Sequence, residues 1–150
     1  MVIPCPDCGK KNRVPAEHLA DRGRCGACRS EIPPRSEPLE VDSAAFDEIA
    51  RSARVPVLVD FWAAWCAPCR MAAPEVARTA AEMAGRALVV KVNTELHPDL
   101  AARFGVRGIP NFVVLRDGEI VTQQAGLVPS ARMVQWLTAA AEERQAPAGA

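Results

Sequence analysis

From about residue 39 onward, apolar positions fall into short runs and periodic patches that predict alternating strands and helices. Pro56 to Trp62 is an almost continuous valine-rich apolar run, the pattern of a strand buried on both faces, and Asp60 is the one carboxylate inside it. Ala87 to Asn93 repeats that pattern around Lys91. Asn111–Arg116 and Glu119–Gln124 predict two strands joined at Asp117-Gly118, a dipeptide suited to a tight hairpin. Leu39 to Val41 is long enough for a short first strand. Helical spacing takes over between these runs. Phe46, Ile49, Ala50 and Ala53 share one face of a helix that Asp42 or Ser43 can cap. Cys66 to about Ala84 predicts a helix with Pro74 inside it, where a kink is expected, and Gly85 as its C-cap. His97-Pro98-Asp99 opens a short helix through Phe104. Ser130 can cap a last helix with Met133, Trp136, Leu137 and Ala140 on its apolar face. Strand–helix three times, then hairpin, then helix, predicts an α/β fold whose central mixed sheet is flanked by helices.

Before residue 39 the pattern changes. The only sizeable apolar residues are chiefly Val2, Ile3, Val14, Leu19 and Ile32, too few to support a core. Pro33-Pro34-Arg-Ser-Glu-Pro38 predicts a stiff, solvated linker. The expected organisation is a module with its linker over 1–38, a main domain over 39–145 and a flexible tail over 146–150.

Composition narrows the function classes. The 150 residues are 49% apolar and 24% charged with zero formal net charge, ordinary for a globular protein. Neither this balance nor the module's small basic excess points to nucleic acid or an anionic membrane. No apolar run approaches the ~20 residues of a membrane span. The N-terminus lacks a basic region followed by an apolar stretch, so no signal peptide is expected and a reducing cytoplasm is. There, six cysteines point to metal binding or redox catalysis rather than structural disulfides.

The six form three Cys-x-x-Cys pairs: Cys5/Cys8, Cys25/Cys28 and Cys66/Cys69. The third stands at a strand-to-helix junction. Cys66 would lie at the helix's positive end, where a thiolate is favoured, so it is the better attacker. Cys69 lies one turn on, close enough to close a disulfide, less exposed, and placed to resolve a mixed disulfide. Pro68 restrains the backbone between them. Asp60 in an apolar run should have a raised pKa.

The stretch Asp60-Phe-Trp-Ala-Ala-Trp65-Cys66-Ala-Pro68-Cys69-Arg-Met71 resembles the thioredoxin active site, and the match continues through Lys91, Gly108-Ile109-Pro110, Asp117-Gly118-Glu119 and Gly126. The resemblance covers roughly residues 39–142. It implies a thioredoxin fold and protein-disulfide reduction. It also implies re-reduction by an NADPH-dependent thioredoxin reductase, with oxidised proteins as substrates and no bound organic cofactor. Asp60 would assist proton transfer at Cys69, Lys91 would tune Asp60, and Pro110 would be a cis-proline facing the cysteines. Ile109 would offer backbone groups to an extended substrate, and Trp65 would cover the site. Trp62 is expected in the core. Gly126 fits either a partner's close approach or a simple turn. Two positions depart from the family: Ala67 stands where glycine is usual, and Asn111 where threonine is. Ala67 bears on redox poise rather than on reaction type. A monomer is expected.

Cys5, Cys8, Cys25 and Cys28, with sixteen residues between the pairs, fit a four-cysteine zinc site directly. Metal would supply the folding energy that the small core lacks. Two disulfides or an iron–sulfur cluster are the alternatives. The run Cys-Pro-x-Cys-x-x-x-Asn-Arg-Val-Pro also resembles the zinc module of the bacterial thioredoxin 2 type. His18 and His97 are not assigned as ligands. Two other functions remain open. One is a zinc- or redox-sensing interaction protein with the main domain as docking unit; the other is a disulfide isomerase or oxidase.

Overall fold

The computed structural model describes residues 1–145, so the expected tail over 146–150 lies outside the described residues. The main domain follows the predicted element order. It comprises β5 (Leu39–Glu40), α1 (Ser43–Ser52), β6 (Val57–Trp62), α2 (Ala67–Glu82), β7 (Leu88–Asn93), α3 (Pro98–Arg103), β8 (Asn111–Arg116), β9 (Glu119–Ala125) and α4 (Ser130–Gln145). Ahead of it lie two small antiparallel ribbons, β1 (Val2–Pro4) with β2 (Lys11–Arg13) and β3 (Gly23–Arg24) with β4 (Glu31–Ile32). A 3-10 turn, Ala16–His18, connects the ribbons.

The sheet runs β5-β7-β6-β8-β9, parallel across β5, β7 and β6 and antiparallel across β8 and β9. β6 lies at its centre, and alternation splits its side chains between two cores. Val57, Val59 and Phe61 join the layer beneath α1 and α3, with Phe46, Ile49 and Leu100. Leu58 joins the layer beneath α2 and α4, with Val76, Met133 and Leu137. Each such side chain contributes roughly 1.5–3 kcal/mol on burial, which fixes where the C-terminal end of β6 delivers the chain. Asp42 caps α1 by accepting from the Ala45 N–H at 2.8 Å. At Asp117-Gly118 both residues have positive φ, 52° and 81°, as a two-residue hairpin turn requires. α2 runs on through Pro74. At the start of α4 the Ser130 N–H donates to the Glu75 carboxylate of α2, 3.2 Å away, a cap supplied by a neighbouring helix.

The first 38 residues are less detached than their composition suggests. Ala16, Leu19 and Ala20 are buried in the same apolar cluster as Phe46 and Ile49 of the main domain. The segment 33–38 is tied down rather than solvated throughout. The Arg35 N–H donates to the Leu19 carbonyl at 2.9 Å, and its guanidinium donates to the Glu37 and Pro38 carbonyls. The far end of α2 closes the contact: a Cβ added at Gly85 would lie 3.8 Å from Pro34 and 3.9 Å from the Ala20 carbonyl. No helix among the described residues is long and apolar enough to cross a membrane.

Candidate functional site

At the C-terminal end of β6 the chain turns into α2, and Cys66 is the N-cap of that helix. Its sulfur accepts from the Cys69 N–H at 3.2 Å, so a thiolate there would meet a helix N–H and the positive end of the dipole. Cys66 and Cys69 form a disulfide with Cα atoms 5.2 Å apart. The two are equally buried, at 3% and 4% exposure. Exposure therefore does not mark Cys69 as the more hidden of the pair. Trp62, Ala63 and Ile109 pack in one apolar cluster with the pair, and the helix cap and the Ile109 carbonyl, both at Cys66, distinguish the two. Pro68 occupies the first turn, and Ala67 beside it is exposed.

Asp60 sits on β6 one turn of pleat before Trp62, on the face that carries α2. It is 2% exposed, and its Oδ1 has no hydrogen-bond partner. Burial pushes its pKa up to about 7, against the pull of the Lys91 charge and with the help of Glu40. Register explains that trio. Glu40 pairs with Lys91 across β5 and β7, and Lys91 pairs with Asp60 across β7 and β6. Paired residues share a face, so a carboxylate, an ammonium and a carboxyl stand in one row. Trp62, expected in the core, is only half-buried. Its indole N–H donates to Glu40 at 2.8 Å, and Lys91 Nζ lies 4.6 Å from the ring centroid.

Opposite the disulfide lies the loop before β8. The Ile109–Pro110 peptide is cis, Pro110 is buried, and the Ile109 carbonyl oxygen is 3.7 Å from Cys66 Sγ. The Gly126 N–H donates to the Pro110 carbonyl at 2.8 Å. Gly126 has φ 98°, which favours glycine, and a Cβ there would meet nothing within 4 Å, so the space above it is open. Trp65 is 66% exposed beside Cys66, and Met71 and Leu127 are exposed apolar residues. The Asn111 side chain is buried and accepts from Gln123 of β9 at 3.2 Å.

The remaining four cysteines converge. Their sulfurs lie within 4.8 Å of one another, with Cys5–Cys28 and Cys8–Cys25 each at 3.6 Å. A tetrahedral zinc with bonds of about 2.3 Å sets sulfur–sulfur edges of about 3.8 Å, so the donor set fits that ion in type and spacing. The two knuckles are built alike. Gly9 and Arg29 follow the second cysteine of each at φ 76° and 65°, and their N–H groups return to the Cys5 and Cys25 carbonyls at 3.0 Å. Backbone N–H groups of Asp7 and Ala27 point at Cys5 and Cys25 sulfurs. The backbone N–H donors at Cys28 and Ala27, with the Asn12 amide, hold the Cys25 pKa down to about 6, which favours the thiolate that metals bind. Asn12 straps the knuckles together. Its amide donates to the Lys10 carbonyl and to Cys25 Sγ, and its oxygen accepts from the Gly26 N–H at 3.0 Å. Asn12 falls within the Cys-Pro-x-Cys-x-x-x-Asn-Arg-Val-Pro run but carries no assigned role there, and no sequence pattern singles out Glu40. Both owe their place to partners distant in sequence.

Comparison with known proteins matches both parts. The thioredoxin family model covers residues 37–139, and the model described as Thioredoxin 2, N-terminal, a zinc ribbon, covers residues 4–30. Thioredoxin C-3 of Corynebacterium nephridii is 37% identical over 145 residues, 97% of this chain and 99% of its own. Thioredoxin 1 of Chlorobaculum tepidum is 46% identical over 89 residues, 59% of this chain and 88% of its own. Among solved structures, a mutant thioredoxin from Halobacterium salinarum superposes with a TM-score of 0.64 at 34% identity, covering 71% of this chain and 93% of that one.

Proposed function

The chain belongs to the thioredoxin family and is a thiol–disulfide oxidoreductase, and within that activity we propose that it reduces disulfides in oxidised proteins of the cytoplasm and is itself re-reduced by an NADPH-dependent thioredoxin reductase. The observation that carries this reading is the Cys66–Cys69 disulfide across the first turn of α2, with the Ile109 carbonyl against Cys66.

In the reduced protein, the Cys66 thiolate attacks one sulfur of a substrate disulfide, and the other substrate sulfur leaves as a thiolate that takes up a proton. The mixed disulfide is then attacked by Cys69. Asp60, whose pKa burial pushes up to about 7, accepts the Cys69 proton. The new thiolate bonds to Cys66 Sγ and the second substrate sulfur leaves. Two electrons have passed from the enzyme dithiol to the substrate, and Cys66–Cys69 is oxidised. Lys91 tunes Asp60, and Pro68 restrains the turn. Pro110 holds the loop against the pair. Ile109 supplies backbone groups, while Trp65 and Gly126 border the open surface where a substrate segment lies. Cys5, Cys8, Cys25 and Cys28 would hold Zn²⁺, which when bound supplies a structural cross-link between the knuckles.

The test is reduction of a protein disulfide by the full chain with NADPH and thioredoxin reductase. Cys66→Ser is expected to abolish turnover. Cys69→Ser is expected to stall as a covalent mixed disulfide visible by mass spectrometry. Turnover by Cys66→Ser would overturn the assignment of the attacking sulfur.

A further inference from the structure

Lys91 is Asp60's neighbour in the sheet, yet its ammonium group is not on the Asp60 carboxyl. It lies over the Trp62 ring, whose N–H is fixed on Glu40. Two side-chain contacts and one register pairing thus close a ring on the α2 face of the sheet: Glu40 bonds Trp62, Lys91 lies over Trp62, and Glu40 and Lys91 are cross-strand neighbours in the β5–β7 register. We propose that Glu40 is a positioning residue that governs proton exchange at Asp60. It does so by clamping Trp62 and drawing the Lys91 charge onto the indole face instead of onto the carboxyl. The inference rests on the reading of Asp60 as the proton acceptor of Cys69.

The charged groups that act on Asp60 are its neighbours along the sheet: β7 brings Lys91 and β5 brings Glu40 beyond it, while β8 pairs the uncharged Phe112 with it. The ring has a functional logic. With Lys91 fully on Asp60, the carboxyl would ionise well below neutrality and make a poor proton acceptor for a thiol. With Lys91 shared, burial dominates and Asp60 exchanges its proton in the neutral range. Glu40 is exposed and Trp62 half-buried, so the control lies at the protein surface while the group it controls is buried.

Magnitudes make the effect measurable. Glu40 stands two strand spacings from Asp60, about 10 Å. At an effective dielectric of about 20, reduced by screening over a Debye length of about 8–10 Å, one charge at that distance moves a titration by about 0.4 pH unit. Releasing Lys91 from the ring toward Asp60 adds to the same sign.

The experiment follows the Asp60 carboxyl by carbon NMR in the oxidised full chain, for the native protein, Glu40→Gln, Lys91→Met and the double variant. Glu40→Gln is expected to lower the Asp60 midpoint by at least about 0.4 pH unit, and Lys91→Met to raise it. The Glu40→Gln shift is expected to shrink in the Lys91→Met background, because part of it acts through Lys91. Glu40→Asp should restore the native midpoint in part. An unchanged midpoint in Glu40→Gln overturns the proposal, as does an equal shift with and without Lys91. The alkaline limb of the pH–rate profile for disulfide reduction is read alongside. If the NMR midpoint moves and the rate profile does not, the ring stands and the catalytic reading of Asp60 falls.

Discussion

In the N-terminal module the chain doubles back after each second cysteine, whereas in the main domain it carries on into a helix. Gly9 and Arg29 make the return, both at positive φ, and each knuckle thereby turns its two sulfurs toward a common centre. Cys66, at φ −86° and ψ 110°, instead enters α2, so Cys69 comes round one turn later on the same face. The spacing of the cysteines is identical. What differs is the next residue's backbone and the helix dipole, which one site has and the other lacks. The knuckle sulfurs meet other sulfurs 3.6 Å away, while Cys66 of the helix pair meets the Ile109 carbonyl oxygen at 3.7 Å. One arrangement suits permanent ligation and the other reversible bond exchange.

The contrast breaks first where it is largest. Stripping metal from the zinc-loaded full chain with a chelator is expected to unfold residues 1–35. The loss is on the order of 10 kcal/mol of site stabilisation, followed by zinc release and limited proteolysis. Reducing the Cys66–Cys69 loop should cost only about 2 kcal/mol and leave the module's protection intact. If both treatments expose the same peptides, the two cysteine sets are not doing different jobs.

Asp60→Asn sharpens the electrostatic side. The folded pKa of Asp60 is raised, so between about 4 and 7 the folded chain keeps a proton that the unfolded chain has lost, and native stability falls as pH rises through that window. The variant lacks this loss. At pH 8 it should be more stable by up to about 4 kcal/mol, a gain that fades toward pH 4, read by denaturant titration. A constant gain across pH would mean that packing, not ionisation, is responsible.

Leu19→Ala tests how far the two parts fold together. Leu19 is 3% exposed within the main core, so truncation should lower the main domain's unfolding free energy by about 2–4 kcal/mol. An effect confined to residues 1–38 would restore the picture of a separate module. Smallest of all, Arg29→Gly should stabilise the second knuckle by about 0.5 kcal/mol. Relief of the left-handed conformation, φ 65°, is partly offset by glycine's unfolded-state freedom. A slower chelator-induced zinc release is the readout.

Much of the main domain is legible in its sequence because local pattern and tertiary role agree there. β6 needs an apolar run because it is covered on both faces, and Asp117-Gly118 needs positive φ because two strands meet there. The cysteine cluster is legible from spacing alone. Leu19 is not, since a lone leucine in a polar module gives no sign of joining Phe46 in another core. Glu40 is hidden for a related reason. On a two-residue edge strand it resembles any solvated glutamate until register sets it beside Lys91. Pro33 to Pro38 has linker composition, but the Glu37 and Pro38 carbonyls are taken by Arg35. These features depend on which distant segments meet, and periodicity carries no record of that.

α2 has its N-cap at Cys66, and just past its other end Gly85 abuts Pro34 and the Ala20 carbonyl. Its 16 residues make it about 24 Å long, so the contact that the module makes at Gly85 lies far from the disulfide. A macromolecule gripping the module would leave the exchange site open, and both ends can be occupied at once. Such a tether would hasten exchange with a tethered substrate through effective concentration, without altering the chemistry at Cys66.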